Sequence, residues 1–169
     1  MTRIETVAIV YRHPQILLGM KKKKLGAGRY NGFGGGMEEN DRDIYDTAIR
    51  ETKEESGITL LDPERVGRIL FSFQSDEQDH DVHFFRARRY SGIPRETDEM
   101  TAKWFNIQEI PYGQMWSGDK YWLPLLLEDK MFLGEFLFNS EHEIVEHRLK
   151  EFDKRGCFES SLSELLSYE

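Results

Sequence analysis

Residues 33–58 read FGGGMEENDRDIYDTAIRETKEESGI, a glycine cluster followed by a segment with clear helix signals. Asp43 suits the N-cap position, because its carboxylate can accept hydrogen bonds from the unpaired N–H groups of the first turn. Gly57 is placed to adopt the left-handed conformation that ends many helices. We therefore predict a helix over about 43–56, directly after a glycine- and lysine-rich loop over 21–36.

This helix carries two stripes of side chains next to each other. At about 100° per residue, one stripe contains Tyr45, Ala48, Ile49 and Thr52, and the other contains Glu51, Glu54 and Glu55. Carboxylates three and four positions apart repel one another by roughly a few tenths of a kcal/mol per pair. A hard divalent cation such as Mg²⁺ removes that repulsion, because it prefers oxygen ligands. The alternative is a solvated acidic surface that binds nothing.

The rest of the chain predicts mainly short strands. The patterns favour strands over 6–10, 15–18, 66–73, 82–86 and 103–105, an acidic turn over 75–79, a helix over 121–127, a hairpin of 132–138 with 143–149, and a short helix over 160–166. Pro124 is expected in the first turn of its helix, where its missing N–H is tolerated. The mixture predicts an α/β or α+β fold in which strands outnumber helices.

Composition limits the class of protein. The 169 residues are 38% hydrophobic and 32% charged, which is typical of a single folded domain. The net charge of −8 disfavours a nucleic-acid binder, because no positive field would attract a phosphate backbone. No segment suits a signal peptide or a membrane span, and the single cysteine, Cys157, excludes an internal disulfide. We expect a cytoplasmic monomer with no nucleic-acid or membrane partner.

The segment RETKEESGI (50–58) resembles the second half of the Nudix box, in which arginine and glutamate precede a glutamate pair and a glycine. Further matches are LLGMKK (17–22), GAGRYNGFGG (26–35), DEM (98–100), WF (104–105), and MW with YW-PLLL within 115–127. Together they make the chain similar to the MutT-homologue type of 8-oxo-dGTP diphosphatase. The resemblance implies a Nudix domain over 1–153, with a mixed β-sheet sandwiched between helices. Residues 154–169 would be an extension of unknown role, and deleting residues 157–169 should leave activity largely intact.

The resemblance also implies a Mg²⁺ site, with Mn²⁺ as a substitute. The implied ligands are carboxylates of Glu51, Glu54, Glu55 and Glu99 and a backbone carbonyl of Gly35 or Gly36. Arg50 would orient Glu51 by a charge-assisted hydrogen bond, and the catalytic residues would be Glu51, Arg50 and Glu99. The implied reaction is hydrolysis of a purine nucleoside triphosphate, 8-oxo-dGTP above all, to the monophosphate and pyrophosphate.

For the substrate, the resemblance implies a phosphate contact at Lys21 and base contacts at Asn31, Asp119 and Trp116. The pocket would be lined by Thr6, Leu25, Phe71, Phe73 and Met100. Oxidation at C8 turns guanine N7 from an acceptor into a donor, which the amide oxygen of Asn31 can recognise. The alternatives are core packing for the aromatic residues and loop stabilisation for Asn31.

The first half of the Nudix box departs from the family pattern. Counting back from the box arginine places the first acid of the box at Arg42, whereas counting forward from the glycines places it at Asp41. We prefer Asp41, which keeps the negative charge. Thr52 stands at an aliphatic position, and Leu25 replaces a phenylalanine.

The base site departs as well. Gly118 replaces the first of two adjacent acids, so Asp119 has no neighbouring carboxylate that would raise its pKa. An ionised Asp119 accepts two N–H groups, which fits a guanine edge better than an adenine edge. We therefore expect a sharper preference for 8-oxo-dGTP over 2-oxo-dATP than in relatives with two acids.

Two rival interpretations remain open. One is a Nudix hydrolase of another nucleoside diphosphate derivative, such as a sugar nucleotide, a dinucleotide or a capped RNA. The other is a Nudix-fold binding module without catalysis, which retention of the box arginine and glutamates disfavours. Outside these motifs, His80 and His83 are interpreted as ordinary polar residues, and Trp104 and Phe105 as core residues.

Overall fold

The computed structural model describes residues 2–75 and 77–167. Met1, Asp76, Tyr168 and Glu169, which belong to the expected domain, acidic turn and extension, lie outside the described residues. The strands are β1 (Arg3–Arg12), β2 (Gln15–Lys21), β3 (Tyr30–Asn31), β4 (Thr59–Leu61), β5 (Glu64–Phe73), β6 (His80–Ala87), β7 (Arg89–Ser91), β8 (Met100–Asn106), β9 (Met131–Phe138) and β10 (Ile144–Phe152). The helices are α1 (Ile44–Ser56), α2 (Asp119–Leu127) and α3 (Arg155–Leu166), with single 3₁₀ turns at Ile107–Glu109 and Tyr112–Gln114.

One large mixed sheet organises the fold. Its strand order is β10-β9-β5-β6-β1-β2-β3, and β8 also pairs with β2. The pairs β1–β6 and β5–β9 are parallel, whereas the other pairs in this sheet are antiparallel. A separate small sheet joins β4 to β7. The α/β class and the mixed sheet expected from the sequence are confirmed.

Side chains alternate between the two faces of this sheet, and each face has its own core. Ala8 and Phe85 pack with Ala48 of α1 in one cluster. Ile9 and Phe84 belong to the other cluster, which contains the buried residues of α2. The central strands therefore lie between α1 and α2, and the resemblance implied this sandwich. Trp104 and Phe105 of β8 are partly buried against the two clusters, as expected.

Helix α1 begins and ends where the sequence indicates. The Asp43 carboxylate accepts hydrogen bonds from the backbone N–H groups of Tyr45 and Asp46. Gly57 ends the helix with φ = 79°, and its N–H donates to the Lys53 carbonyl. Residues next to the helix in sequence therefore provide hydrogen-bond partners for its backbone at both ends.

The buried face of α1 takes residues from both predicted stripes. Tyr45 is 37% exposed, whereas Glu55 is only 2% exposed. Polar residues occupy this face because their side chains find partners: the Thr52 hydroxyl donates to the Ala48 carbonyl, and the Ser56 hydroxyl donates to the Thr52 carbonyl. Ala48 and Thr52 of the first stripe are fully buried, and Glu55 of the acidic stripe is buried with them.

Two further expectations about helices need correction. Helix α2 begins at Asp119 rather than at 121, so Pro124 lies beyond its first turn. Helix α3 begins at Arg155, five residues before the predicted start. None of the helices within residues 2–75 and 77–167 is long and apolar enough to cross a bilayer.

Helix α3 is attached to the same core as the rest of the domain. Phe158 and Leu162 are buried in the cluster that contains α2, and Phe152 of β10 contacts Phe158 at a ring-centroid distance of 5.9 Å. Leu165 and Leu166 on the same helix are exposed. The extension therefore contributes to the hydrophobic core, which argues against its being dispensable.

Replacing Phe158 with alanine should lower the free energy of unfolding by about 3–5 kcal/mol, because it leaves a cavity in the core. Leu165→Ala on the exposed side of the same helix should change it by less than about 0.5 kcal/mol. Urea denaturation followed by circular dichroism measures both values. Equal stability of the two variants would show that α3 does not support the core.

Candidate active site

A cavity of about 260 Å³ opens beside β1, the glycine loop and α1. Acidic residues and glycines line one end, and Trp116 and Asp119 line the other. Most of the predicted site residues line it: Lys21, Leu25, Asn31, Gly35, Gly36, Glu51, Glu55, Phe71, Phe73, Glu99, Trp116 and Asp119. The folded chain thus joins the two predicted ends in a single space.

The acidic end depends on a tight contact between the glycine loop and its neighbours. A Cβ atom at Gly34 would lie 1.8 Å from the Thr6 carbonyl oxygen. A Cβ atom at Gly35 would lie 2.6 Å from the Glu51 carboxylate. Only glycine therefore lets β1, this loop and α1 approach so closely.

Glu55 is the most buried acid of this end. Its Oε2 atom accepts a hydrogen bond of 2.9 Å from the Gly34 N–H. Burial is the main cause that raises the pKa of Glu55 to about 8; the charges of Glu51 and Glu99 also raise it, and the Gly34 N–H and Lys21 oppose the rise. The positive charge near Glu55 is therefore too small to offset the cost of burying its ionised carboxylate.

Arg50 does not line the cavity but holds its acids in place. It binds Asp41 through two contacts, Nε to Oδ1 at 2.9 Å and Nη2 to Oδ2 at 2.7 Å. Its Nη1 atom donates to Glu51 Oε1 at 2.7 Å, and its Nη2 atom donates to the Gly36 carbonyl at 3.0 Å. Glu54 lies 3.4 Å from Arg50 on the outside of the helix, where it is 59% exposed and does not line the cavity.

The Arg50 contacts distinguish the two alignments of the first acid. The hydrogen bond from Arg50 lowers the pKa of Asp41 far below its usual range, although burial opposes this. Arg42 points elsewhere and pairs with Asp46 on the surface. Asp41 therefore keeps a carboxylate beside the box arginine despite the extra residue in the loop.

The acidic end has the chemistry of a divalent-cation site. Glu51, Glu55 and Glu99 face one cavity, and Gly35 and Gly36 line it with them. Within residues 2–75 and 77–167, no three His, Cys, Asp or Glu side chains stand close enough to coordinate one ion. Mg²⁺ commonly takes only one or two protein carboxylates and completes its shell with water and phosphate, so these oxygen donors fit it.

The other end of the cavity is built around a buried acid. Asp119 Oδ1 accepts a hydrogen bond of 3.0 Å from the Trp122 indole, and Oδ2 has no partner among the described residues. Burial raises the pKa of Asp119 to about 7, against the hydrogen bonds from Trp122 and the Trp116 backbone. The expectation that a second carboxylate is needed to raise this pKa was therefore wrong, because desolvation is sufficient.

Aromatic side chains form the walls of this end. The Arg29 guanidinium carbon lies 4.4 Å from the centre of the Trp116 ring. Phe73 stacks on Phe138 at 5.6 Å, and Phe71 lies beside them. Asn31 faces the same space, and its Oδ1 atom accepts from the Gly32 N–H. A flat, partly polar ring would contact π-faces here and meet polar groups at its edge.

Two predicted pocket residues lie elsewhere. Thr6 is buried and does not line the cavity, since its neighbours Glu5 and Val7 on β1 point there instead. Met100 is buried in the cluster that packs against α1, on the opposite face of the sheet. Strand alternation explains both cases, because a sequence does not show which face of a central strand meets the cavity.

Sequence analysis also missed cavity residues. Glu5 and His80 line the wall between the two ends, although His80 was interpreted as an ordinary polar residue. The parallel pairing of β1 with β6 brings them together across 75 positions of sequence. A glutamate shortly before the apolar run at 7–10 was the available signal.

The chain is similar to known proteins in sequence and in fold. A family model described as the NUDIX domain matches residues 1–126. The chain is 44% identical over 152 residues to a Danio rerio protein named oxidized purine nucleoside triphosphate hydrolase, covering 90% of this chain and 97% of that protein. A Mus musculus protein of the same name is 42% identical over the same shares. A crystal structure of a mutator MutT protein from Bacillus halodurans matches with a TM-score of 0.79 and 27% identity, covering 88% and 97% of the two chains.

Replacing Glu55 with glutamine should raise the unfolding temperature in metal-free buffer at pH 8. The raised pKa of Glu55 means that its ionised form costs stability; this cost is absent below the ordinary value of 4.5, grows as pH rises and is complete above about 8. The amide keeps an oxygen for the Gly34 N–H, so the shape of the loop is retained. Glu55 is buried rather than solvent-facing, so its ionisation affects the stability of the fold.

Calorimetry with EDTA and with excess Mg²⁺ measures the effect. Mg²⁺ should raise the unfolding temperature of the parent more than that of Glu55→Gln, because the variant lacks one charged ligand. Glu54→Gln removes an equal charge from the exposed side of α1 and is the matched control in EDTA. A lower unfolding temperature for Glu55→Gln in EDTA would contradict the assignment.

Proposed function

The chain belongs to the NUDIX domain family, and from that premise we propose that it hydrolyses oxidised purine nucleoside triphosphates to the monophosphate and pyrophosphate. The observation that carries this proposal is the single cavity that connects the acids of α1 to the buried Asp119. Its relatives named oxidized purine nucleoside triphosphate hydrolase match over nearly their whole length, which supports the same class of substrate.

The two ends of the cavity assign the parts of the substrate. The base lies between Trp116 and the phenylalanines, with Asn31 and Asp119 at its edge. The triphosphate extends towards Lys21, whose ammonium group suits phosphate oxygens. This orientation brings the phosphates to Glu51 and Glu55 at the acidic end.

Residues of the chain bind and orient the reacting groups. Arg50 holds the carboxylate of Glu51 by a charge-assisted hydrogen bond, which fixes its direction. Burial raises the pKa of Glu51, partly offset by Arg50, and thereby increases its ability to accept a proton. Glu99 faces the same space from the loop before β8 and offers a second proton acceptor.

We also assign the divalent cation to this end. One or two carboxylates from Glu51, Glu55 and Glu99, or Glu54 after a change of side-chain rotamer, would hold Mg²⁺ or Mn²⁺ together with a carbonyl of Gly35 or Gly36. Bound there, the ion supplies positive charge to the phosphate oxygens and lowers the pKa of a coordinated water. The cation also accounts for the tolerated burial of Glu55.

We further propose that the enzyme acts as a cytoplasmic monomer on free nucleotides. The net charge of −8 supports a small substrate rather than a nucleic acid, because a long phosphate backbone would be repelled. A nucleoside triphosphate would not be repelled in this way, because the cation and Lys21 neutralise its charge locally.

Product analysis tests the function. With 8-oxo-dGTP and Mg²⁺, the parent should release the monophosphate and intact pyrophosphate, with a kcat/KM at least about tenfold above that for dGTP. Glu55→Gln should lower turnover by at least about a hundredfold, whereas Glu39→Gln on the exposed loop should not. Orthophosphate as first product, or faster use of a nucleoside diphosphate sugar, would contradict the proposal.

The choice between oxidised bases should depend on pH. Below about pH 7 a protonated Asp119 offers one donor and one acceptor, which fits an adenine edge. Above it the carboxylate offers acceptors alone, which fits the two donors of a guanine edge. The ratio of kcat/KM for 8-oxo-dGTP to that for 2-oxo-dATP should therefore rise between pH 6 and pH 8.

This ratio cancels titrations that affect both substrates equally. Asp119→Asn, which does not titrate, should give a ratio that is independent of pH. A constant ratio in the parent over this range would remove Asp119 from the base site.

A further inference from the structure

Glu5 and His80 form a polar pair on a cavity wall that the proposed function leaves without a role. His80 Nδ1 lies 2.8 Å from Glu5 Oε2, and Arg3 Nε lies 3.0 Å from Glu5 Oε1. The side chains of Glu5 and His80 keep 21% and 17% of their exposure, and both line the cavity. A polar pair in this position faces the space that a substrate would fill.

The pair lies between the acidic end of the cavity, where the proposed function places the phosphates, and the end with Trp116 and Asp119, where it places the base. At the phosphate side, Glu5 pairs with Gly36 in a β-bridge, and the Arg3 guanidinium packs against the same glycine. At the base side, the His80 ring contacts the edge of Phe73 at a centroid distance of 5.9 Å. In a nucleoside triphosphate, the group between the base and the phosphates is the sugar.

The chemistry of Glu5 suits a sugar. Burial acts against ionisation, but the hydrogen bond with His80 and the charges of His80, Arg3 and Lys21 lower the pKa of Glu5, so it is a carboxylate at neutral pH. A carboxylate has about four lone-pair sites, of which Arg3 and His80 use two. The remaining sites accept hydroxyl protons, whereas phosphate oxygens have none to donate and would be repelled.

We propose that Glu5, held in place by His80 and Arg3, accepts hydrogen bonds from sugar hydroxyls and is a specificity-determining residue of this enzyme. The proposal rests on the proposed function, which places the base and the phosphates at the two ends. Vicinal sugar hydroxyls are bound by a single carboxylate in dinucleotide-binding folds, so the chemistry has a precedent. Substrates with more sugar hydroxyls should therefore be preferred.

A different role for the pair would be to fasten β1 to β6 without touching the substrate. That role would make a Glu5 variant worse on every substrate by the same factor. A sugar contact would make the loss depend on which hydroxyls the substrate carries. The ratio of kcat/KM between substrates with different sugars therefore distinguishes the two roles.

The test uses 8-oxoguanine triphosphates with ribose, 2′-deoxyribose and 2′,3′-dideoxyribose. The parent should lose about tenfold or more in kcat/KM from the ribose to the dideoxyribose form, because buried acceptors are left unpaired. In Glu5→Gln this ratio should fall to about threefold, since a neutral acceptor binds more weakly. In Glu5→Met, which has a similar length and no strong acceptor, the ratio should approach one.

The chain provides a matched control in Glu77, which pairs with His142 at 3.1 Å but does not line the cavity. Glu77→Gln removes a carboxylate from a second glutamate–histidine pair and should leave the sugar ratio of the parent unchanged. A parent without sugar discrimination, or Glu5 variants that keep it, would overturn the proposal.

Failure of the proposed function gives a different result. A parent that hydrolyses none of the three nucleotides would contradict the proposed function and leave the sugar site to be judged by equilibrium binding. Tighter binding of the ribose form, lost in Glu5→Met, would support the sugar site. Equal affinities for the three nucleotides would overturn it.

Discussion

The contact of the glycine loop with β1 on one side and α1 on the other is the constraint on which the site depends. Gly34 and Gly35 leave no room for a side chain, so the loop backbone can donate to Glu55 while its neighbouring carbonyl receives the Thr6 N–H at 2.9 Å. Arg50 then connects the same loop to α1 through Gly36 and Glu51. Caps at both ends of α1 set the helix against this loop, and the acids meet the cavity as a consequence.

Both ends of the cavity use one physical device, an acid that burial makes harder to ionise. Glu55 and Asp119 have raised pKa values because each is removed from water and receives few compensating hydrogen bonds. Each therefore costs stability that a substrate or a cation would recover on binding, and such perturbed groups cluster at functional sites. The surrounding hydrophobic core stabilises the fold enough to offset these costs. Helix α3 contributes Phe158 and Leu162 to this core.

The departures from the family pattern have local explanations. Asp41 compensates for the extra loop residue because its side chain still reaches Arg50, and Thr52 is accepted in a buried position because its hydroxyl bonds the Ala48 carbonyl. Gly118 packs against Phe136 and Ile144, so the carboxyl group of Asp119 is governed by its own burial. The changes at Asp41 and Thr52 alter how the site is assembled and preserve its charges, whereas Gly118 removes one carboxylate.

The sequence by itself determined α1, its caps, its acidic stripe, the glycine loop and the family, because each depends on residues close together in the chain. Only the tertiary structure decided which alternate residues of β1 face the cavity. Glu5 and Val7 line it, whereas Thr6, which was predicted to line it, does not. It also decided that Glu55 and Asp119 are desolvated, that α3 completes the core, and that Glu5 meets His80. These features arise from strand pairing and burial, which depend on contacts between distant segments and are not encoded in any local pattern.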